Sequence, residues 1–145
     1  MMRGTICVVE DDLTIRLWLV RVLEDANFPV VDFDSADRAL IHLGRHATGV
    51  TMILAGTHLP GIFNGTDLAQ IASISWPSVT VVVTKEADSV IADVPVGTII
   101  VSTPLKDADV LASARLAQQR DELRRNIDRQ FSGKRSHDVP SSRTT

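Results

Sequence analysis

The chain is organised as five short apolar runs that alternate with segments in which apolar residues recur at helical spacing. The runs are rich in Val, Ile and Thr and are continuous rather than alternating, a pattern typical of strands buried on both faces of a parallel sheet. The predicted strands cover residues 5–9, 29–33, 50–55, 79–84 and 97–102. Helices between them imply right-handed crossovers, so the pattern predicts an α/β fold with a doubly wound parallel sheet.

Capping residues mark where the first three helices should begin. Asp12 and Ser35 suit the N-cap positions of the first two, and the third should open near Asn64 or Thr66. The apolar residues predicted to form the core face of the first helix are Ile15, Trp18, Leu19, Val22, Leu23 and Ala26.

Other residues mark where these helices should end. Asn27 suits a left-handed residue after the first helix, and Gly44 lies at the expected end of the second. Trp76 precedes Pro77, and a residue before proline disfavours the helical region, so the third helix should close there.

The last two helices are predicted to differ from the others in length. A shortened fourth helix of one or two turns is expected around Val90 and Ile91. The last helix should run from about Leu105 or Lys106 to about Phe131 without an internal Gly or Pro.

A single domain is expected over residues 1–131, including the extended last helix, since 145 residues suit one domain. Residues 132–145 are short of apolar side chains and rich in Ser, Arg and Thr, so a disordered tail is predicted there.

Composition narrows the class of function. The net charge is −3, with 15 basic and 18 acidic residues, which argues against a general nucleic-acid binder. No apolar run approaches the length of a membrane span, so we expect no membrane partner and a soluble, cytoplasmic protein. The single Cys7 lies in an apolar run and should be a buried thiol.

Candidate chemistry collects where the predicted strands end, because sites in parallel sheets form at the carboxyl ends of the strands. The first strand runs into Glu10, Asp11 and Asp12; others end at Gly56, Thr84 and Thr103. Gly56 is followed by a Leu-Pro-Gly turn at 59–61, and Thr103 by Pro104. This ordered set resembles the receiver domain of bacterial response regulators over roughly residues 3–120, which implies a flavodoxin-like fold of five βα units.

The resemblance implies a role for each position in an acidic pocket. Glu10 and Asp11 match the family's acidic pair, with Asp11 in the place of the direct Mg²⁺ ligand. Gly56 matches the aspartate that accepts a phosphoryl group, and it has no side chain to phosphorylate. His58 falls where the family uses only a backbone carbonyl on the metal.

Three further positions match the family's switch residues. Thr84 matches the hydroxyl residue that contacts the phosphoryl group, Thr103 matches the family's lysine, and Ile100 falls where many members carry Tyr or Phe. The acceptor and its lysine counter-ion are therefore both missing. We expect no aspartyl phosphorylation, no catalytic residues, no cofactor, and Mg²⁺ binding that is weak if it occurs.

Each of these residues also has an ordinary structural interpretation. Asp12 suits a helix cap, Thr84 and Thr103 suit strand ends, and Gly56 suits a tight turn. His42 and His46 are spaced as a helical zinc pair but lack further ligands, so a solvated helix face is the better interpretation.

Two apolar stripes lie outside the predicted core faces. Leu13, Leu17 and Val20 recur along the first helix, and the resemblance implies contact there with a histidine kinase or phosphotransfer protein; cover by a neighbouring helix is the alternative. Leu123, Ile127 and Phe131 recur along the last helix beyond the expected end of the core, and self-association as a homodimer is the simplest explanation.

The leading hypothesis is a stand-alone pseudo-receiver of bacterial two-component phosphorelay signalling, acting by protein contact without aspartyl phosphorylation. One alternative is a working phosphotransfer receiver with another acceptor, such as Thr57, or with a shifted register. The other is an unrelated flavodoxin-like enzyme.

Overall fold

A computed structural model describes the backbone of residues 3–91 and 93–143, with side chains as far as Ser132. Five parallel strands form one sheet in the order β2-β1-β3-β4-β5. The strands are β1 (Thr5–Val9), β2 (Val30–Phe33), β3 (Val50–Gly56), β4 (Thr80–Glu86) and β5 (Ile99–Thr103). The predicted α/β parallel sheet is confirmed.

Four helices surround the sheet in the described part of the chain, with a short 3-10 turn at Ala47–Gly49. They are α1 (Leu13–Asp25), α2 (Ala36–His46), α3 (Gly65–Ser75) and α4 (Asp107–Arg143). The predicted caps are confirmed: Asp12 accepts a hydrogen bond from the Ile15 amide at 3.0 Å, and Ser35 accepts one from Arg38. Asn64 caps α3. Asn27 has the predicted left-handed backbone, with φ 67°.

The predicted end of α2 at Gly44 is wrong, because the helix continues to His46. A glycine inside a helix costs only about 1 kcal/mol relative to alanine. The apolar face that ends in the fully buried Leu43 outweighs that cost. Gly44 is therefore an interior residue of α2.

The structure describes the β4–β5 connection except for residue 92. The predicted fourth helix is absent from these described residues. Pro95 and Gly97 limit helix length there, and Asp93 adopts a left-handed backbone with φ 59°. The connection is irregular, with Ile91 packed against the core.

The last helix also departs from its predicted end. The sequence predicts an end near Phe131 and a disordered tail from Ser132, whereas α4 runs to Arg143; residues 144–145 lie outside the described residues. Adding residues to an existing helix is far easier than nucleating one. No helix within the described ranges is long and apolar enough to cross a membrane.

The core lies on both faces of the sheet. On one face, β-strand residues such as Ile53 and Val83 pack with α2 and α3; on the other, residues such as Met52 and Val82 pack with α1 and α4. Ile15 was predicted to be in the core but is exposed. It lies in the first turn of α1, at the carboxyl edge of the sheet, where the strands no longer cover it.

Candidate functional site

The carboxyl edge of the sheet brings together most of the residues that the sequence singled out. Gly56 ends β3 and is the register partner of Thr84 in β4. Glu10 directly follows β1, whose last residue, Val9, pairs with Ala55 next to Gly56. Thr103 ends β5 and pairs with Glu86, further along β4 than Thr84. The strand order therefore places β3 between the acidic run and the threonines.

Hydrogen bonds already occupy part of the acidic run. The Asp12 amide donates to Oε2 of Glu10 at 3.0 Å, while Asp12 itself caps α1. The guanidinium of Arg16 donates to the Glu10 carbonyl at 2.8 Å and to Asp32 at 3.1 Å. Asp11 is exposed. The structural interpretation of Asp12 as a cap is thus confirmed, and the edge carries a cation that the sequence did not reveal.

Glu10 is the acidic residue whose titration is altered by the fold. Partial burial raises its pKa above the ordinary value, and the negative charges of Asp11 and Asp12 act in the same direction. The hydrogen bond from the Asp12 amide opposes this shift because it stabilises the carboxylate. The fold therefore makes ionisation of Glu10 less favourable than it is in the unfolded chain.

Gly56 lies in a tightly packed stretch of backbone. A Cβ atom built on Gly56 would lie 3.3 Å from Oε1 of Glu10 and 3.7 Å from Leu59. Its carbonyl faces Gly65, where a Cβ atom would approach to 2.0 Å. The start of α3 thus packs directly on the end of β3, and only glycine fits at position 65.

Thr57, the alternative acceptor, is bonded to the neighbouring strand. Its hydroxyl donates to the Thr84 carbonyl, and its own carbonyl accepts from the Gly65 amide at 3.1 Å. These bonds fix the chain as it leaves β3 and hold the Thr57 hydroxyl against β4.

Asp37 in α2 shapes the loop that follows. Its two carboxylate oxygens accept hydrogen bonds from the amides of Ile62 and Phe63, both at 3.1 Å. Gly61 turns the loop with a positive φ of 97°, close against this carboxylate. The Leu-Pro-Gly turn is therefore held to α2 rather than free.

The residues at the edge do not fit the metal set that the resemblance implies. Glu10 and Asp11 supply two carboxylates, and position 56 supplies none. Across the described ranges, no group of three or more His, Cys, Asp or Glu side chains could hold a metal ion. Mg²⁺ needs hard oxygen ligands, and one carboxylate of this pair already accepts an amide hydrogen bond.

Other predicted site residues lie away from this cluster. Ile100 is the register partner of Val83, one residue before Thr84 along β4, and its side chain is exposed. His58 is exposed on the loop after β3. The rings of His42 and His46 lie 4.8 Å apart on α2.

The stripe on α1 lies at the surface for two of its three residues. Leu13 and Leu17 are each 57% exposed, so no neighbouring helix covers them. Val20 is half-buried. Leu123, Ile127 and Phe131 on α4 are 62%, 42% and 55% exposed.

Four residues at the edge were not singled out as structural anchors by sequence reasoning. Arg16, Asp37 and Gly65 act through contacts with residues distant in sequence, as does the Thr57 hydroxyl. The sequence places Asp37 in the first turn of α2, where an acidic residue is common. Its contact with the loop at Ile62 and Phe63 forms only in the folded chain, so the sequence does not reveal it.

Comparison with known proteins gives matches in structure and none in sequence. No family model matches the chain, and no curated protein matches it. The response regulator StyR superposes with a TM-score of 0.79 at 22% identity, covering 96% of this chain and 70% of that one. A receiver domain protein from Clostridium thermocellum gives 0.75 at 18%, covering 83% and 98%.

Two further solved structures superpose on this chain in the same way. The signal receiver domain of a putative LuxO repressor protein from Vibrio parahaemolyticus gives a TM-score of 0.74 at 17% identity, covering 87% of this chain and 98% of that one. NtrX from Brucella abortus gives 0.75 at 21%, and the match covers 89% of this chain but only 30% of NtrX. At these identities the likeness concerns the fold. The chain has the fold of the response-regulator receiver domains.

Proposed function

We propose that this chain is a receiver-fold module of two-component signalling that acts by protein contact and is not phosphorylated at position 56. The observation that carries the proposal is Gly56 itself. It ends β3 beside Thr84 and Glu10 and offers no side chain to a phosphoryl group. The receiver resemblance matches this position to the family's phosphoacceptor.

The missing positive charge supports the same proposal. A phosphoryl group at this edge needs a cation, and Thr103 stands where the family has lysine. Lys85 follows Thr84, but its ammonium donates to the Ser89 carbonyl at 2.9 Å. Arg16 is bonded to Glu10 and Asp32. These two cations are thus engaged in holding the fold.

Weak Mg²⁺ binding follows from the same residues. Two carboxylates remain at the edge, and Mg²⁺ releases its water ligands reluctantly. We propose that the chain has no need of the ion, since the repulsion that a third carboxylate would add is absent.

The exposed stripe on α1 supports a protein partner. Leu13 and Leu17 lie next to the acidic edge, so one partner could contact both the stripe and the carboxylates. A histidine kinase or a phosphotransfer protein has the chemistry for this role, and we propose a binding function rather than an enzymatic one.

Phosphodonor treatment tests the loss of phosphotransfer. The protein is incubated with Mg²⁺ and acetyl phosphate, and its intact mass is measured. We expect no stoichiometric adduct. An adduct labile in base would overturn the proposal, and an adduct stable in base but lost in Thr57→Ala would identify a phosphotransfer protein with a different acceptor.

Partner binding tests the contact surface. Leu13→Asp and Leu17→Asp should each weaken binding to a cognate histidine kinase or phosphotransfer protein at least tenfold, because charges replace apolar contacts. Ile41→Asp on α2 is the matched control, since Ile41 is a comparably exposed apolar residue on another helix. Equal loss in all three variants would argue against a surface on α1.

A further inference from the structure

One part of the sheet lacks the helix that a parallel crossover usually supplies. The connection from β4 to β5 has no helix among its described residues, and the face of β5 carrying Ile100 is exposed. Parallel sheets normally have both faces covered by helices. The β4–β5 region is thus an incompletely covered face.

A groove opens beside this face at the amino ends of β4 and β5. It has a volume of about 400 Å³ and lies between α3, the loop before β5, and α4. Its apolar lining includes Val79, Val81, Pro95 and Val96. Val96 is fully exposed, so the groove presents apolar surface to solvent.

Two arginines of α4 line the same groove. Arg124 donates to the Ser78 carbonyl at 3.1 Å and pairs with the buried Asp121. Arg120 has no ion pair within the described residues. The groove therefore combines an apolar lining with one cation available to an incoming acidic group.

The same chain carries an apolar stripe that could fill such a groove. Leu123, Ile127 and Phe131 lie along one side of α4 and are all exposed. From residue 125 to Ser132 every residue of α4 is exposed, so this part of the helix is not packed against its own chain. Asp128 flanks the stripe and has no ion pair within the described residues.

The stripe and the groove are neighbours, since Arg120 and Arg124 line the groove and Leu123 lies on the same helix. A two-fold dimer uses the same patch on both copies, so complementary features must lie close together on one chain. We propose that a second copy of this chain is the occupant: each copy inserts its stripe into the groove of the other, with Asp128 of one copy facing Arg120 of the other.

Sedimentation tests this dimer with variants on each half of the interface. The wild type should dimerise at tens of micromolar, while Ile127→Asp and Val96→Asp should each weaken dimerisation at least tenfold. Ile41→Asp, at an exposed position on another helix, should leave it unchanged. All replaced residues are exposed, and circular dichroism checks that each variant is folded.

The groove is what separates this dimer from simple pairing of two α4 helices. A wild type that stays monomeric at about 100 µM would overturn the proposal. Normal dimerisation of Val96→Asp would also overturn it, because helix pairing alone does not use Val96.

Exchanging the charges at positions 120 and 128 tests whether these two residues face each other across the dimer. Arg120→Glu and Asp128→Arg should each weaken the dimer severalfold, and combining them should restore it. If the loss of dimer stability in the double variant equals the sum of the losses in the two single variants, the two residues do not meet across the interface. None of these results depends on phosphorylation, so they leave the proposed function to its own tests.

Discussion

A β-carbon at position 56 would lie 3.3 Å from Oε1 of Glu10. Any acidic side chain at this position would therefore begin next to a carboxyl group whose pKa is already raised, chiefly by burial. Glycine removes that repulsion. We therefore expect the chain without metal to be more stable with glycine than with aspartate at position 56.

Gly56→Asp should lower the free energy of unfolding at pH 7 by about 1–2 kcal/mol relative to Gly56→Asn. The two side chains match in size, so the difference reports charge. The full interaction of two charges about 4 Å apart, ~4 kcal/mol at an effective dielectric constant of about 20, is reduced because water reaches the edge. Urea unfolding measures the difference.

Acid and Mg²⁺ provide the checks on that prediction. Near pH 3 the carboxyls are protonated and the two variants should become equally stable. Mg²⁺ should raise the melting temperature of Gly56→Asp but not of the wild type. A difference that persists in acid would show that charge is not its cause.

Gly65→Ala should destabilise the protein by about 2 kcal/mol or more, because a methyl group would collide with the Gly56 carbonyl. The collision is with backbone at 2.0 Å, so no side chain can move aside. Gly44→Ala is the matched control: nothing lies within 4 Å of its Cβ position, and the change inside α2 should stabilise by about 0.5–1 kcal/mol. Thermal or urea unfolding measures both, and a neutral Gly65→Ala would contradict the packing.

Glu10→Gln should stabilise the protein increasingly as pH rises through the window that begins at the ordinary glutamate pKa, about 4.3. Because the folded-state pKa of Glu10 is raised, the unfolded chain loses this proton first, and wild-type stability falls through that window. The glutamine oxygen can still accept the Asp12 amide. Glu24→Gln, on the exposed side of α1, controls for net charge, and an equal pH dependence in both variants would refute the prediction.

Cys7 should resist thiol reagents in the folded protein. Burial, followed by the charge of Asp32, raises its pKa to about 12, so on the order of 10⁻⁴ of the thiol would be ionised at pH 8. The Cys7 thiol should be labelled no faster than the protein unfolds, and it should be labelled at once when urea unfolds the protein. Rapid labelling under native conditions would show that β1 opens locally.

The strands could be predicted because each is a largely apolar run; the sheet buries the central strands β1, β3 and β4 almost completely, whereas the edge strands β2 and β5 are only partly buried. Ile53 and Val83 at its centre are fully buried, and the pattern around them has no competing interpretation. Capping residues also act locally, so Asp12 and Ser35 could be identified from their neighbours in the chain.

Features that depend on competition between local and tertiary effects were predicted less well. Gly44 appeared to end α2, but burial of Leu43 carries the helix through it. Val90 and Ile91 suggested a short helix, but Ile91 packs on the core from an irregular segment.

At the candidate site, sequence reasoning found the edge but not the bonds that hold it. Order along the chain predicts that Glu10, Gly56 and Thr84 lie where strands end. The parallel sheet brings them together, although β4 continues past Thr84 to Glu86. The contacts of Arg16 with Asp32 and of Thr57 with Thr84 join separate segments. No local pattern predicts such pairs.

The most direct test of the account compares the wild type with a Gly56→Asp/Thr103→Lys double variant, which places an acceptor and a cation at the edge. Both are incubated with Mg²⁺ and acetyl phosphate, and intact mass is measured before and after mild base. The account predicts no adduct on the wild type and a base-labile phosphoryl adduct on the double variant. A stoichiometric base-labile adduct on the wild type would contradict it.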